Sequence, residues 1–222
     1  MSILKKRYER KYITDVLLAE EVELALKLHP SLFFEKYPPR FINNIYFDNP
    51  SFKDYQDSVQ GISQRKKIRI RWYGDLKENI KNAQVELKYK NGVLVSKERF
   101  PLIPFKLSDI EKPSKWHSIL KKSQVPSAID MQIRELNQIV SNRYYRKYFL
   151  TPDDKFRITI DSNMESRMVG WFNKNSRSSP SNKVVIELKY DLTADINVGK
   201  ILRFLPFTLS KNSKYLGAME SW

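Results

Sequence analysis

Lys67-Ile68-Arg69-Ile70-Arg71-Trp72 alternates a cation with an apolar residue over six positions. A period of two puts the cations on one side of an extended strand and the apolar residues on the other. Four more stretches repeat the pattern: Arg7-Tyr8-Glu9-Arg10-Lys11-Tyr12, Val85-Glu86-Leu87-Lys88-Tyr89, Phe156-Arg157-Ile158-Thr159-Ile160-Asp161 and Ile186-Glu187-Leu188-Lys189-Tyr190. An ordinary surface strand carries a mixed polar face. Here strand after strand carries Arg, Lys and Glu. Strands that share such a face gather it into one patch or one lumen, and a cationic lumen with carboxylates in it suits a polyanion and its metal ion.

The composition agrees. The chain has 222 residues with 40 Lys plus Arg against 25 Asp plus Glu, a net charge of +15. The charge is spread along the chain rather than held in a basic arm, so the expected partners are polyanions. A hydrophobic fraction of 41% can furnish a core for a single domain over residues 1–222. There is no cysteine, which excludes disulfides, thiolate metal sites and Cys nucleophiles and points to a reducing compartment. His29 and His117 are too few and too far apart for a zinc site. The N-terminus runs straight into charge, and no stretch approaches the roughly 20 apolar residues of a bilayer span. The expectation is a cytoplasmic protein without a transmembrane segment. No RNP, KH or helix-turn-helix signature is present, so nucleic acid is not expected as the partner.

Around the alternating stretches the sequence predicts a strand at Arg7–Ile13 and a helix from Thr14 or Asp15 to Leu28. A turn follows at Pro38-Pro39, then a strand at Ile42–Phe47 and a short strand with a turn at Tyr55–Gly61. Arg65–Tyr73 and Gln84–Lys90 read as an antiparallel pair, and Asn91-Gly92 as the hairpin turn into Val93–Phe100. Helical spacing covers Leu107–Lys122 and Ile129–Ser141. Strands resume at Arg143–Phe149, Lys155–Asp161 and Lys183–Tyr190, with a polar loop at Asn173–Asn182 and a last helix at Gly199–Phe207. The predicted fold class is α+β, a closed antiparallel eight-stranded β-barrel with a charged lumen and covering helices. Lys11, Arg69, Arg71, Glu86, Lys88, Arg157, Glu187 and Lys189 then point inward. Tyr8, Tyr12, Ile68, Ile70, Leu87, Ile158, Ile160, Ile186 and Leu188 point outward, under the helices. Asp161 reads equally as a strand-end cap or a lumen acid. Like charges packed this closely repel, so removing any one cation should relieve the empty lumen.

Nine motifs in order carry a family resemblance: Arg7-x-Glu9-x-Lys11-Tyr12, Ile45-Tyr46-Phe47-Asp48, Lys67-x-Arg69-x-Arg71-x-Tyr73, Glu86-x-Lys88, Lys97-x-Arg99, Tyr145-Arg146, Arg157-x-Thr159-x-Asp161, Glu187-x-Lys189-Tyr190 and Ser213-Lys214-Tyr215. From about residue 5 to 218 the chain resembles the VTC domain, the catalytic domain of vacuolar transporter chaperone polyphosphate polymerases, within the triphosphate tunnel metalloenzyme superfamily. The resemblance implies a triphosphate tunnel and a phosphotransferase that moves the terminal phosphate of ATP onto a polyphosphate chain. It implies Lys11, Arg69, Arg71, Lys88, Arg157 and Lys189 as catalytic groups. Lys97, Arg99, Arg146, Lys211, Ser213 and Lys214 would bind substrate, and Glu187, helped by Glu9 and Glu86, would hold Mn²⁺ or Mg²⁺. The implied ligands are ATP and polyphosphate or other triphosphates, and a membrane protein is a possible partner.

Those residue types suit phosphoryl transfer, in which positioning and charge neutralisation do most of the work. One departure bears on the chemistry. Hydrolytic members of the superfamily carry Glu-x-Glu-x-Lys in the first strand, and here the first position is Arg7. That weakens a second metal and the activation of water. The rival readings are a metal-dependent triphosphatase and a module that binds polyphosphate or inositol polyphosphate without turnover.

Overall fold

The computed structural model describes residues 7–14, 17–92, 94–169, 177–210 and 212–220. Eleven strands appear among them. They are β1 (Arg7–Thr14), β2 (Phe34–Asp48), β3 (Gln64–Tyr73), β4 (Asn79–Ile80), β5 (Gln84–Asn91), β6 (Leu94–Pro101), β7 (Phe105–Lys106), β8 (Asn137–Leu150), β9 (Phe156–Met168), β10 (Ser179–Ser181) and β11 (Val184–Asp191). The α-helices are α1 (Ala19–Lys27), α2 (Lys53–Val59), α3 (Pro113–Lys122), α4 (Ser127–Arg134), α5 (Val198–Leu202) and α6 (Lys214–Glu220).

One antiparallel sheet runs in the order β1-β11-β9-β8-β2-β3-β5-β6, with β10 attached to β9; β4 and β7 pair separately. The expected closed barrel is therefore wrong, because no ladder joins β1 to β6. The sheet nevertheless curls. Laid flat, strands about 4.8 Å apart would leave β1 and β6 roughly 33 Å from each other. Instead Glu9 of β1 lies 3.1 Å from Lys88 Nζ on β5 and 3.9 Å from Lys97 Nζ on β6. The edges face each other across ion pairs, not backbone hydrogen bonds. The physical reason lies on the outer edge of β1. Tyr12 forms a bridge with Leu209, and Ser210 N donates to Lys11 O at 2.8 Å. The late segment takes backbone positions that a closing ladder would use.

The convex face follows the alternation. Ile68, Ile70, Val85 and Leu87 pack with Trp116, Ile119 and Leu120 of α3 and with Ile129 and Ile133 of α4. Tyr12, Ile158, Ile160, Ile186 and Leu188 pack with Val22 and Leu26 of α1 and with Val198 and Ile201 of α5. Covering these strands on one side leaves the charged side as the inner, concave face.

Several local expectations are corrected. Pro38 and Pro39 lie inside β2, which runs from Phe34, and the pairing with β8 shifts register between Tyr37 and Arg40. Proline donates no ladder hydrogen bond, and a bulge is where a strand tolerates it. The stretch from Tyr55 belongs to α2, because Asp48 accepts hydrogen bonds from the amides of Asp54 and Tyr55 and winds the turn. The helix expected to reach Ser141 ends at Arg134; Ile139 and Val140 join β8, where β-branched side chains fit the pleat. The last predicted helix is only Val198–Leu202. Ser179–Ser181 pairs with β9 rather than looping, while residues 173–176 of that loop lie outside the described residues. The Asn91-Gly92 hairpin is present, with Gly92 at φ 58° and Asn91 opposite Leu94.

Candidate functional site

The concave face is built row by row from paired strands, since side chains directly opposite each other point the same way. Glu9 of β1 pairs with Lys189 of β11, which pairs with Arg157 of β9. Lys11 pairs with Glu187, and Glu187 with Thr159. Arg146 of β8 pairs with Asp161. Arg69 of β3 pairs with Glu86 of β5, and Glu86 with Arg99 of β6; Lys67, Lys88 and Lys97 form the next row. The sequence-predicted residues on these strands thus share one face. Lys211 lies outside the described residues.

Four of the arginines, Arg69, Arg71, Arg99 and Arg146, are held by carboxylates. Arg69 bonds Glu86 Oε2 through Nε at 2.9 Å and through its terminal amine at 2.5 Å. Arg71 lies 3.8 Å from Glu86, and Arg99 lies 3.3 Å from its other oxygen, which also accepts from Gln84 Nε2 at 2.9 Å. Arg71 donates further to Asn44 Oδ1 at 2.8 Å and to Tyr144 OH at 3.0 Å. Burial pushes the Glu86 carboxyl up, but Arg69 and Arg71 outweigh it and hold it far below the usual range. Arg146 grips Asp161 at 2.5 and 2.7 Å, and Lys214 reaches the same carboxylate at 2.5 Å. Asp161 is therefore a lumen acid.

Lys11, Lys67 and Lys97 are not matched so closely; the nearest carboxylates of Lys11 and Lys97 lie at 3.9 Å. Burial, then Lys11 and Lys88, lower Lys67 to about 7. Burial, with Lys88 and Lys214, lowers Lys11 to about 8 despite the opposing pull of Glu187 and Glu9. Burial, then Lys189 and Lys88, bring Lys97 well below the ordinary lysine value. Burial and Glu187 push Glu9 up, yet Lys88, Lys189 and Lys97 bring it down to about 2. Glu187 lies 2.6 Å from Lys189 and 3.9 Å from Lys11, which hold it ionised against burial.

One end of this face is crossed by the chain itself. Lys11 Nζ donates to Asn212 O and Lys67 Nζ to Ser213 Oγ, both at 2.8 Å. Tyr215 of α6 stacks on Tyr46, ring centroids 5.3 Å apart, and donates to Asp48 Oδ2 at 2.7 Å.

Sequence reasoning missed four contributors here. Lys67, Tyr144 and Asn44 stand on the concave face, and the alternation of Lys67 with Arg69 could have found the first. Thr159 is buried with a hydroxyl that has no hydrogen-bond partner.

Cations outnumber carboxylates on this face, an arrangement that suits a polyanion. Lys11, Lys67, Arg69, Arg71, Lys88, Lys97, Arg99, Arg146, Arg157, Lys189 and Lys214 surround Glu9, Glu86, Asp161 and Glu187. Among the described residues no three His, Asp or Glu side chains converge as a metal cage. The match to known proteins decides the lineage: the VTC domain family matches residues 6–222. The chain belongs to the VTC domain family. This VTC domain is 26% identical over 153 residues to subunit 2 of the vacuolar transporter chaperone complex of Saccharomyces cerevisiae. That match covers 55% of the chain and 18% of the yeast protein, so the domain spans a small part of that relative. Its fold is similar to a protein of Pyrococcus horikoshii OT3, TM-score 0.51 with 16% identity over 97% of this chain and 99% of that one. A candidate adenylate cyclase of Vibrio parahaemolyticus gives TM-score 0.53 with 12% identity over 97% and 98% of the two chains. At such identities these likenesses speak for the fold alone. Among the described residues no helix is long and apolar enough to cross a membrane.

Proposed function

We propose that this VTC domain binds the triphosphate of ATP on its concave face and transfers the terminal phosphoryl group to an inorganic polyphosphate chain. The observation that carries the reading is the row of Lys67, Lys88 and Lys97 directly opposite one another, with Lys11, Lys67 and Lys97 all lowered by burial and by neighbouring cations. Such a cluster is costly when empty and relieved by a polyanion. In the transfer, a terminal oxygen of the polyphosphate chain bonds to the γ-phosphorus while the bond to the β–γ bridging oxygen breaks. ADP leaves with that electron pair. Arg69, Arg71 and Arg146 are pre-aimed by Glu86, Asn44, Tyr144 and Asp161, so they bind and orient phosphate oxygens without rearranging. Lys88 and Lys189 supply point charges beside them.

A hard divalent ion bound to phosphates needs only one or two protein carboxylates. Glu9 and Glu187, both within 4.0 Å of Lys189, fit that role and would hold Mn²⁺ or Mg²⁺ against substrate phosphates. Glu86 does not fit it, because both of its oxygens are already engaged by Arg69, Arg99 and Gln84. The ion would supply neutralisation of phosphate charge. Arg7 stands against the hydrolytic reading: it bonds Asp191 at 3.0 Å, where hydrolytic relatives place a carboxylate. Assembly into a complex, as the name of the yeast relative suggests, is part of the same reading.

The purified protein with ATP and Mn²⁺ tests it. Long-chain polyphosphate on a gel is expected. Orthophosphate alone would replace the polymerase by a triphosphatase, and tight binding without product would leave a binding module. Glu187→Gln should abolish turnover while metal-free tripolyphosphate binds as well or better; activity near the parent rate would make Glu187 a salt-bridge partner only.

A further inference from the structure

The open mouth of the groove, at the C-terminal end of β3, is lined differently from the rest. We infer that Tyr73, Tyr37 and Tyr148, arranged about Arg40, form a stacking subsite for the nucleobase of ATP. This rests on the reading of the concave face as a phosphate site.

Arg40 Cζ lies 4.3 Å from the ring centroid of Tyr73 and 5.3 Å from that of Tyr148, and Arg40 Nε donates to Tyr148 OH at 3.2 Å. Tyr37 meets Tyr148 edge-on, centroids 5.9 Å apart at 87°. Tyr37 is 47% and Tyr73 37% exposed, while Tyr148 is buried and backs the pair through Arg40 and Tyr37. Single exposed aromatics are ordinary, whereas two exposed rings joined through Arg40 and a buried Tyr148 at the end of a charged groove form a platform. The platform is joined to the phosphate cations. Arg40 is directly opposite Arg146 on the neighbouring strand, about 4.8 Å away. Arg157 lies close enough to the Tyr37 phenol, and to Arg7 and Arg146, to feel their charge in addition to its burial.

A polyphosphate chain has no use for π faces. A nucleotide does, because every base has one, and aromatic rings and guanidinium planes both stack on it. A base at this mouth places the α-phosphate nearest Arg146 and Arg157. The γ-phosphate then points inward, toward Lys11 and Lys67, and the polyphosphate end must arrive from the side crossed by residues 212–213. The subsite therefore sets the direction of transfer as well as the choice of donor. Purines, with the larger ring, gain more than pyrimidines.

The test is metal-free calorimetry on the whole chain with ATP, CTP and tripolyphosphate, for the parent, Tyr73→Ala and Tyr37→Ala. ATP should bind more tightly than CTP. Tyr73→Ala should weaken ATP about 10-fold and erase the difference from CTP, with Tyr37→Ala weaker in the same sense. Tripolyphosphate should stay within about twofold in both variants, which also shows that they fold. Equal loss of ATP and tripolyphosphate assigns the rings a structural role and overturns the inference. Unchanged ATP binding overturns it too, and then the phosphate reading survives alone. If neither ligand binds the parent protein, the phosphate reading fails and takes the base subsite with it.

Discussion

Three arginines and three lysines of the concave face are installed in opposite ways. Arg69, Arg71 and Arg146 each come with a buried carboxylate, Glu86 or Asp161. Lys11, Lys67 and Lys97 are buried among other cations, Lys88 beside all three, and their proton affinity falls. The guanidinium cannot discharge in a protein, so a buried one needs a permanent counter-ion. An ammonium can give up its proton, so lysines can be gathered with fewer counter-ions and recharge when an anion arrives. The arginine half is a prebuilt, rigid cradle. The lysine half stores repulsion for the ligand to cancel.

The largest expected effect removes a counter-ion from the arginine half. Glu86→Ala leaves Arg69 and Arg71 buried without their carboxylate and should cost about 3 kcal/mol of stability, as should Asp161→Asn beneath Arg146. Lys67→Met should cost nothing and should hold or raise the melting temperature of the empty protein. Denaturant unfolding of the three variants checks the contrast, and equal losses in all three would end it. Arg69→Ala belongs with the first group. The expectation that deleting a cation relieves the lumen is kept for the lysines and reversed for Arg69, whose guanidinium is the partner of buried Glu86.

A smaller effect is expected from the ligand. Only the folded sheet gathers these cations, so tripolyphosphate should raise the melting temperature by mass action, by several degrees at low salt. The shift should shrink as ionic strength rises. Lys67→Met and Lys11→Met should lose more of it than Arg99→Ala, since Arg99 is exposed at the rim. DNA and heparin at matched charge should do less than tripolyphosphate; equal shifts would leave only a generally cationic surface.

The two faces of the sheet were legible in the sequence, though the contrast between its arginines and lysines was not. The alternation in Lys67–Trp72 and its sister stretches is a local signal, and it correctly set Ile68 and Ile70 against the helices and Arg69 and Arg71 on the other face. The order of motifs carried the family. What could not be read was non-local. Nothing near Leu209 announces that it takes the free edge of β1 and leaves the sheet open. Asp161 gave no sign of Arg146 and Lys214 as partners, because its environment is made by β8 and α6. Pro38-Pro39 read as a turn because a bulge in a long strand depends on the neighbour it pairs with. Arg40, Tyr73 and Tyr148 lie far apart in the chain and meet only at the mouth.

The smallest effect, and the most specific to the lysine half, is a proton. Lys67 at about 7 and Lys11 at about 8 lie below the ordinary lysine value of about 10.4. Between about pH 7 and 10 the unfolded chain keeps protons that the folded one has released, so stability of the empty protein climbs with pH over that window. Below pH 7 both states are charged and the penalty is constant. Glu9 behaves in the opposite sense: lowered to about 2, it stabilises above the ordinary glutamate range and loses that contribution as pH falls toward 2. A polyanion restores the lysine charge, so tripolyphosphate should take up protons on binding at pH 8, and its affinity should fall from pH 7 to 9. Titration calorimetry in Tris and in HEPES reads this directly, because the two buffers release a proton at different enthalpies. Equal heats in both would mean that the lysines are already charged in the empty groove. A buffer difference that Lys67→Met reduces and Arg99→Ala leaves intact would place the switchable charge on the lysine half of the face.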